Sequence, residues 1–263
     1  MIVGYQGEPG AFSEEAALAL LGAVQTRGFP TFDELVRSVD ATEAAFGILP
    51  CENTIAGPIA RAYDLLAEFA NVAIVDETTH RVEQCLIGTR ETDIERLERV
   101  ASHPVALEQC RTFLQRHPQW RIDVAQDTAG SIRSVIESGD PRAGAIGPAL
   151  AARRYGGQVL EAGIQDDADN FTRFFLISAD KTPRRALGRA CLALTLAHEP
   201  GSLHNALGAI AQRGLNIRSL VARPNRKGAF EYTFYLEIEA PPELDVRSFA
   251  GQLGSGTRLL AHY

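Results

Sequence analysis

The chain has 263 residues, of which 45% are hydrophobic and 22% charged, with a formal net charge of −7. That is ordinary globular composition, long enough for one large domain or two smaller ones; the acidic balance argues against a nucleic-acid partner, which favours a basic face. Nothing approaches 18 consecutive apolar residues, so no membrane span is expected, and four scattered cysteines without a CxxC pair argue against a disulfide framework or zinc site and for a reducing compartment.

The opening MIVGYQGEPG lacks the basic start and apolar core of a leader peptide, so the chain is read as cytoplasmic. Residues 2–5 are a strand candidate and residues 13–21 a helix; 46–49, 72–75 and 84–87 are further apolar runs of strand length. Residues 100–102 lead into a helix over 105–115. Residues 121–125 precede a helix from 129, and 143–146 precede another from Pro148, whose missing N–H costs nothing in a first turn. This alternation predicts βα units and a mainly parallel sheet, in one domain or two lobes. KTPRRALGR follows, basic and poor in apolar residues, and residues 181–190 are read as a linker. Beyond it the rhythm changes: strand 191–197, helix 201–213 with Leu203, Leu207 and Ile210 on one face, strands 215–222 and 230–239, helix 244–253, strand 258–262. The order βαββαβ predicts a ferredoxin-like unit.

Several stretches carry chemistry. GYQGEPGAFSEEAA places Gly4, Gly7 and Gly10 between strand and helix. A helix start can bind an anion through free N–H groups, but the spacing fits neither GxGxxG nor a P-loop, so no nucleotide is expected. A turn capped by Ser13 and a carboxylate-binding turn both remain open. LPCENTIAG brings Glu52, Asn53 and Thr54 to the end of a strand, where α/β sheets place ligands; Asn53 could equally close an Asx-turn. In DTAGSI, Asp127 or Thr128 can cap a helix whose N–H groups face a cleft. The six histidines form no HExxH motif and no His/Cys group, and no GxSxG elbow occurs, so no metal is expected and an α/β serine hydrolase is disfavoured. His103 alone has a site-like address, at a strand end in SHP. In IQDDADNFTRFFLIS the polar Asn170, Thr172 and Arg173 stand at the mouth of an apolar strand. Asn170, Thr172 and Phe174 share one strand face, and Phe171 and Arg173 the other. A buried Arg173 needs an anion, either a protein carboxylate or a ligand's.

Together and in order, YQGEPGAFSEEAA, LPCENTIAG, SHPVALEQCRTFL, DTAGSI and IQDDADNFTRF resemble the motifs of one family, the prephenate dehydratases and the closely similar arogenate dehydratases. GSLHNALGAIAQRGLNIRSLVARP and FEYTFYLEIE resemble the core of an ACT regulatory domain. The resemblance implies an α/β fold: a two-lobed, type 2 periplasmic-binding-protein-like catalytic domain over residues 1–180, then a ferredoxin-like ACT domain over 191–263. It implies loss of water and carbon dioxide from prephenate, giving phenylpyruvate, or from arogenate, giving phenylalanine, with no metal, nucleotide or redox cofactor. Thr172 inherits the family's essential threonine. Ser13, Asn53, Thr54, Thr128, Arg173 and Phe174 are implied in substrate binding. Gly201, Ser202, Leu203, Asn216, Ala222, Arg223 and Pro224 are implied in binding a regulatory ligand, L-phenylalanine, within a homodimer or homotetramer.

The chain departs from the family pattern in places. Thr54 stands where serine is usual, which keeps the hydroxyl, whereas Pro58 in AGPIAR removes one near a helix start. Val221 and Ala222 in VARP replace Glu and Ser of the family's ESRP, so altered affinity or ligand choice at the regulatory site is expected. GEPGAFSEEAA and the paired acids of IQDD resemble arogenate dehydratases, which keeps that activity as the nearest alternative. A non-catalytic amino-acid-binding regulator is the alternative of another class.

Overall fold

The computed structural model describes residues 1–224, 231–241, 243–254 and 256–263. The chain starts with β1 (Ile2–Gln6), α1 (Phe12–Leu21), β2 (Gln25–Phe29), α2 (Phe32–Asp40), β3 (Phe46–Asn53), β4 (Gly57–Pro58), α3 (Ala60–Glu68) and β5 (Ala73–Arg81). It crosses to a second lobe built from β6 (Cys85–Gly88), β7 (Arg99–Ser102), α4 (Pro104–Gln109), α5 (Arg111–Gln115), β8 (Arg121–Val124), α6 (Thr128–Ser138), β9 (Ala143–Gly147), α7 (Ala149–Tyr155) and β10 (Gln158–Ala162). It then returns to the first lobe as β11 (Phe171–Ser178). The strand orders are β2-β1-β3-β11-β5, with β4 on β3, and β10-β6-β9-β7-β8.

The expected mainly parallel sheet gives way to two mixed ones. β1–β2, β1–β3, β7–β8 and β7–β9 pair in parallel, but β11 lies antiparallel to both β3 and β5, and β6 antiparallel to β9 and β10. The reason is the double crossing. A strand returning from the second lobe enters the first from the opposite end. β2, α2 and β10 were not legible as elements. In QTRGF only Phe29 is buried, and α2, FDELVRSVD, is polar overall and hides only its Leu35, Val36, Ser38 and Val39 stripe. The single helix expected over 105–115 breaks at Cys110, which closes α4 and opens α5.

β11 is covered on both faces. Phe174 and Leu176 join Val3, Tyr5, Ile48 and α1 residues in one core, while Phe175 and Ile177 join Leu49, Tyr63 and residues of the C-terminal domain in another. That domain comprises β12 (Arg189–Thr195), α8 (Ser202–Gln212), β13 (Ile217–Pro224), β14 (Tyr232–Glu239), α9 (Val246–Gln252) and β15 (Thr257–His262). Residue 230, included in the predicted strand, lies outside the described residues. The strand order β13-β14-β12-β15 is that of a ferredoxin-like βαββαβ unit. Its helices cover one sheet face. The other face, with Cys191, Ala193, Val221, Tyr235 and Tyr263, packs on the first lobe. The basic linker is held in place rather than loose: Arg184 donates its backbone N–H to Val75 O (2.8 Å), and the Arg185 guanidinium pairs with the buried Asp76.

The lobes also touch directly. Gly10 has φ +94°, and a Cβ there would lie 2.5 Å from Ala151 Cα on α7. Glu14, 1% exposed, accepts from the Gly10 N–H and the Thr26 hydroxyl (both 2.6 Å) and pairs with Arg154 of the second lobe. Glu8 pairs with Arg133 (2.7 Å). The glycine turn thus serves close lobe–lobe approach. Gly10→Ala is expected to lose about 1–3 kcal/mol from the left-handed backbone alone, with the clash added; urea unfolding of the variant measures it.

Candidate active site

The first lobe's edge at β3 and β11 decides where the functional side chains point. Thr172 pairs with Asn53 and Arg173 with Glu52, but Phe174 pairs with Pro50, so β3 carries one extra residue, Cys51. Such a bulge reverses the side-chain alternation beyond it. Cys51 fills the step by donating its thiol to Arg173 O (3.3 Å). Without the bulge, Asn53 would follow Leu49 and Cys51 toward the C-terminal domain. With it, Asn53 joins Pro50 and Thr172 on the face between the lobes.

That face lines a cavity of about 270 Å³. It is bordered by Ser13 and Phe12 at the start of α1, Asn53 and Pro50 on β3, Thr172 and Phe174 on β11, Gln84 in the first crossover, His103 and Gln109 of the α4 segment, and Thr128 at the start of α6. Asn53 organises the near wall. Its Oδ1 accepts the N–H groups of Ile55 (3.0 Å) and Ala56 (2.8 Å), closing an Asx-turn. Its Nδ2 therefore donates, to Asn170 Oδ1 (2.8 Å), Phe171 O (3.1 Å) and Thr172 Oγ1 (3.0 Å). The turn reading of Asn53 holds, and the same side chain borders the cavity. Because Thr172 Oγ1 accepts from Asn53, its own proton is free for another acceptor.

Among the described residues no arginine or lysine borders the cavity. Helix starts supply its positive potential. Ala11 gives α1 no side-chain cap, which leaves first-turn N–H groups open beside Phe12 and Ser13. The first-turn acids do not compete for that site, since Glu14 is tied as described and Glu15 accepts from Leu150 N–H (3.1 Å) and contacts His80 Nε2 (3.2 Å). Asp127 caps α6 through Gly130 N–H (2.6 Å), and Thr128 borders the cavity. His103 Nδ1 accepts from Val105 N–H (3.2 Å), so the neutral ring carries its proton on Nε2.

Ser13, Asn53, Thr128, Thr172 and Phe174 therefore come together as expected of one site, while two of the proposed substrate-binding residues do not. Thr54 accepts from Phe171 N–H (3.0 Å) and donates to Asp169 O (2.9 Å), fastening the second crossover. Arg173 points the other way, as strand alternation requires. It is 9% exposed and donates to Glu237 through both terminal nitrogens (2.7 Å each), to Glu52 (3.0 and 3.2 Å) and to Glu77 (3.3 Å). Tyr63 donates to Glu237 (2.6 Å), and Tyr263 to Glu77 (3.0 Å), which also pairs with Arg189. Of the two anions open to Arg173 in the sequence, it takes the protein's own.

The regulatory residues also separate. Ser202 and Leu203 border a small cavity of about 120 Å³ with His198, Glu199 and Tyr232, and Gly201, at φ +89°, starts α8. Asn216, Ala222 and Pro224 lie outside it, and Arg223 is engaged with Asp64 of α3 (2.7 Å). Gln84, Gln109 and Val82 were missed; their signal was position alone, at a crossover and one turn beyond SHP. Among the described residues no cluster of His, Cys, Asp and Glu gathers as for a metal, and no helix is long and apolar enough to cross a membrane. The four cysteines are free and buried. Burial raises their pKa values, to about 11 at Cys85 and about 12 at Cys110.

Residues 3–182 match the family model described as prephenate dehydratase, and the chain belongs to that family. It is 31% identical over 243 residues to the bifunctional chorismate mutase/prephenate dehydratase of Aquifex aeolicus, covering 92% of this chain and 66% of that protein. It is 34% identical over 256 residues to arogenate dehydratase/prephenate dehydratase 1, chloroplastic, of Arabidopsis thaliana, covering 90% and 64%. The chain thus spans about two-thirds of the length of the curated relatives it matches. Among solved structures, prephenate dehydratase from Arthrobacter aurescens in complex with L-Phe superposes with a TM-score of 0.89 at 25% identity, covering 99% of this chain and 89% of that one. A structure described as GqqA, a novel type of quorum quenching acylases, superposes at 0.88 with 30% identity, covering 99% and 97%.

Replacing Arg173 with Ala leaves Glu237 and Glu77 buried with fewer counter-charges. The expected loss is about 3–5 kcal/mol of stability, read by urea denaturation; a loss below about 1 kcal/mol would contradict the assigned role of this pair.

Proposed function

We propose that this chain is a prephenate dehydratase. The observation that carries the reading is the Asn53–Thr172 pair, held on the face of a cavity between two lobes with the threonine's proton unspent. In the reaction the bond to the ring carboxylate breaks and carbon dioxide leaves. Its electrons enter the ring, the C–O bond breaks at the opposite ring carbon, and the departing hydroxide takes up a proton from solvent to become water. Aromatisation drives the step. Thr172 donates a hydrogen bond to the leaving oxygen; an alcohol of such high pKa stabilises that oxygen rather than yielding its proton outright. The substrate's carboxylates meet the starts of α1 and α6 at Ser13 and Thr128, and Phe174 gives the ring an apolar wall. The cavity lies near the lower end of the ~300–1,000 Å³ range of small-molecule sites, which suits a compact substrate.

Residues 191–263 are read as an ACT domain that binds L-phenylalanine and lowers activity, in a cytoplasmic homodimer or homotetramer. The ferredoxin-like strand order and the cavity beside Ser202 and Leu203 support this, as does the relative solved with L-Phe. The engagement of Arg223 with Asp64 and the VARP sequence support an altered ligand response. Coupling of two such sites is a linkage free energy, reciprocal between effector and substrate. A second reading, amide hydrolysis, has one observation in its favour, the whole-chain likeness to a structure described as an acylase.

Purified protein supplied separately with prephenate, arogenate and an N-acyl amide decides between these readings. Turnover of prephenate, decreased by phenylalanine, is expected. Thr172→Ala should lower kcat by about 10²-fold or more with little change in KM, and Thr172→Ser should restore most of it. Wild-type turnover in Thr172→Ala would refute the role given to the hydroxyl.

A further inference from the structure

Gln84 sits where the chain first crosses between lobes, and both its backbone groups are used. Its N–H donates to Gln165 Oε1 (2.9 Å), and its carbonyl accepts from Ile164 N–H (3.0 Å). Both partners belong to the segment leading to the second crossover, so residue 84 is fixed relative to both lobes. Its side chain is not free to wander either. It is 2% exposed and donates Nε2 to Gln109 Oε1 on α4 (3.1 Å).

One end of this amide is left over. Gln84 Oε1 is buried without a hydrogen-bond partner, and of the described residues bordering the 270 Å³ cavity it alone carries such an atom. Buried acceptors are normally satisfied, and an orphan is expensive to keep unless something else completes it. Here the orphan belongs to a residue that borders the site holding Thr172, on a pinned backbone, and among the described residues no lysine or arginine borders that cavity to fill the role.

The reading of the site as a dehydratase, on which this inference rests, gives the orphan a partner. The substrate's leaving hydroxyl and its three-carbon side chain stand on opposite ring carbons. With Thr172 of the first lobe on the hydroxyl, the side chain lies toward another wall of the cavity. Prephenate and arogenate differ there by one group, a keto oxygen against an ammonium. A carbonyl oxygen accepts from an ammonium and has nothing to donate to a keto oxygen. We propose that Gln84 is the specificity-determining residue of this site: its Oε1 accepts from the side-chain ammonium of arogenate, so the chain turns over the amino substrate as well as the keto one. Gln109 is then a positioning residue, holding the Gln84 amide by its nitrogen.

The test is the ratio of kcat/KM for arogenate to that for prephenate, measured on the wild type and on Gln84→Leu, Gln84→Met and Gln84→Glu. A merely structural role would damage both substrates alike and leave the ratio unmoved. In the Leu and Met variants the ratio is expected to fall at least about tenfold, as for loss of a hydrogen bond to a charged group. In the Glu variant it should rise by a similar factor, since a carboxylate favours the ammonium and repels the more anionic prephenate. Two aliphatic variants guard against one that fails to fold. A ratio within twofold of wild type in the variants that fold overturns the inference, as does a wild type that turns over prephenate but not arogenate. A wild type that turns over neither overturns the dehydratase reading, and this inference with it.

Discussion

Arg173 is buried between the first lobe and the C-terminal domain and spends its guanidinium on three carboxylates, Glu237, Glu52 and Glu77. A buried guanidinium is tolerable only with such partners. Desolvation works against its charge, but the Glu237 hydrogen bond and the surrounding anions more than offset this, and its pKa is raised. The pairing has two geometric consequences. It seats β14 of the C-terminal sheet on the first lobe. By strand alternation it also turns the preceding residue, Thr172, to the opposite face, where the cleft is. Glu52 and Asn53 repeat the division on the facing strand. One pair of adjacent residues on each strand thus separates a domain contact from a cleft-facing position.

The cleft owes its shape to the two crossings between lobes. Because β11 returns antiparallel between β3 and β5, both crossover segments run together, and the bonds from Gln84 to Ile164 and Gln165 tie them. On the far side, Gly10 against Ala151, Glu14 with Arg154 and Glu8 with Arg133 hold the lobes close. The cavity between these two sets of contacts has helix starts for its positive potential and, among the described residues, no lysine or arginine. Backbone N–H groups cannot reorient as a lysine can, so the electrostatics are preorganised rather than gathered on binding.

Much of this was legible in the residues, and what was not has identifiable causes. The C-terminal rhythm of strands and helices read correctly because each element there has one buried face with its proper period. Ser13, Asn53, Thr128 and Thr172 converge because each stands at the end of a strand or start of a helix, where local patterning fixes position. The destination of Arg173 was undecidable locally, since its partner Glu237 is 64 residues away. The bulge at Cys51 left no local mark, because only the pairing with β11 defines it. The mixed sheet follows from a long-range return that periodicity cannot see. Gln84 escaped notice because an amide beside a cysteine in VEQCLIG carries no motif, and its orphaned oxygen exists only after folding.

The proposed function puts the reacting substrate in the 270 Å³ interlobe cavity rather than in the roughly 420 Å³ cavity beside α6 and β8. A crystal structure of the protein soaked with phenylpyruvate tests this most directly. Product density is expected in the interlobe cavity, with the aromatic ring against Phe174, a carboxylate at the helix start of Ser13 or Thr128, and the ring carbon opposite the side chain facing Thr172 Oγ1. Density in the larger cavity beside Arg99 and Arg133, with the interlobe cavity free of product, would contradict it.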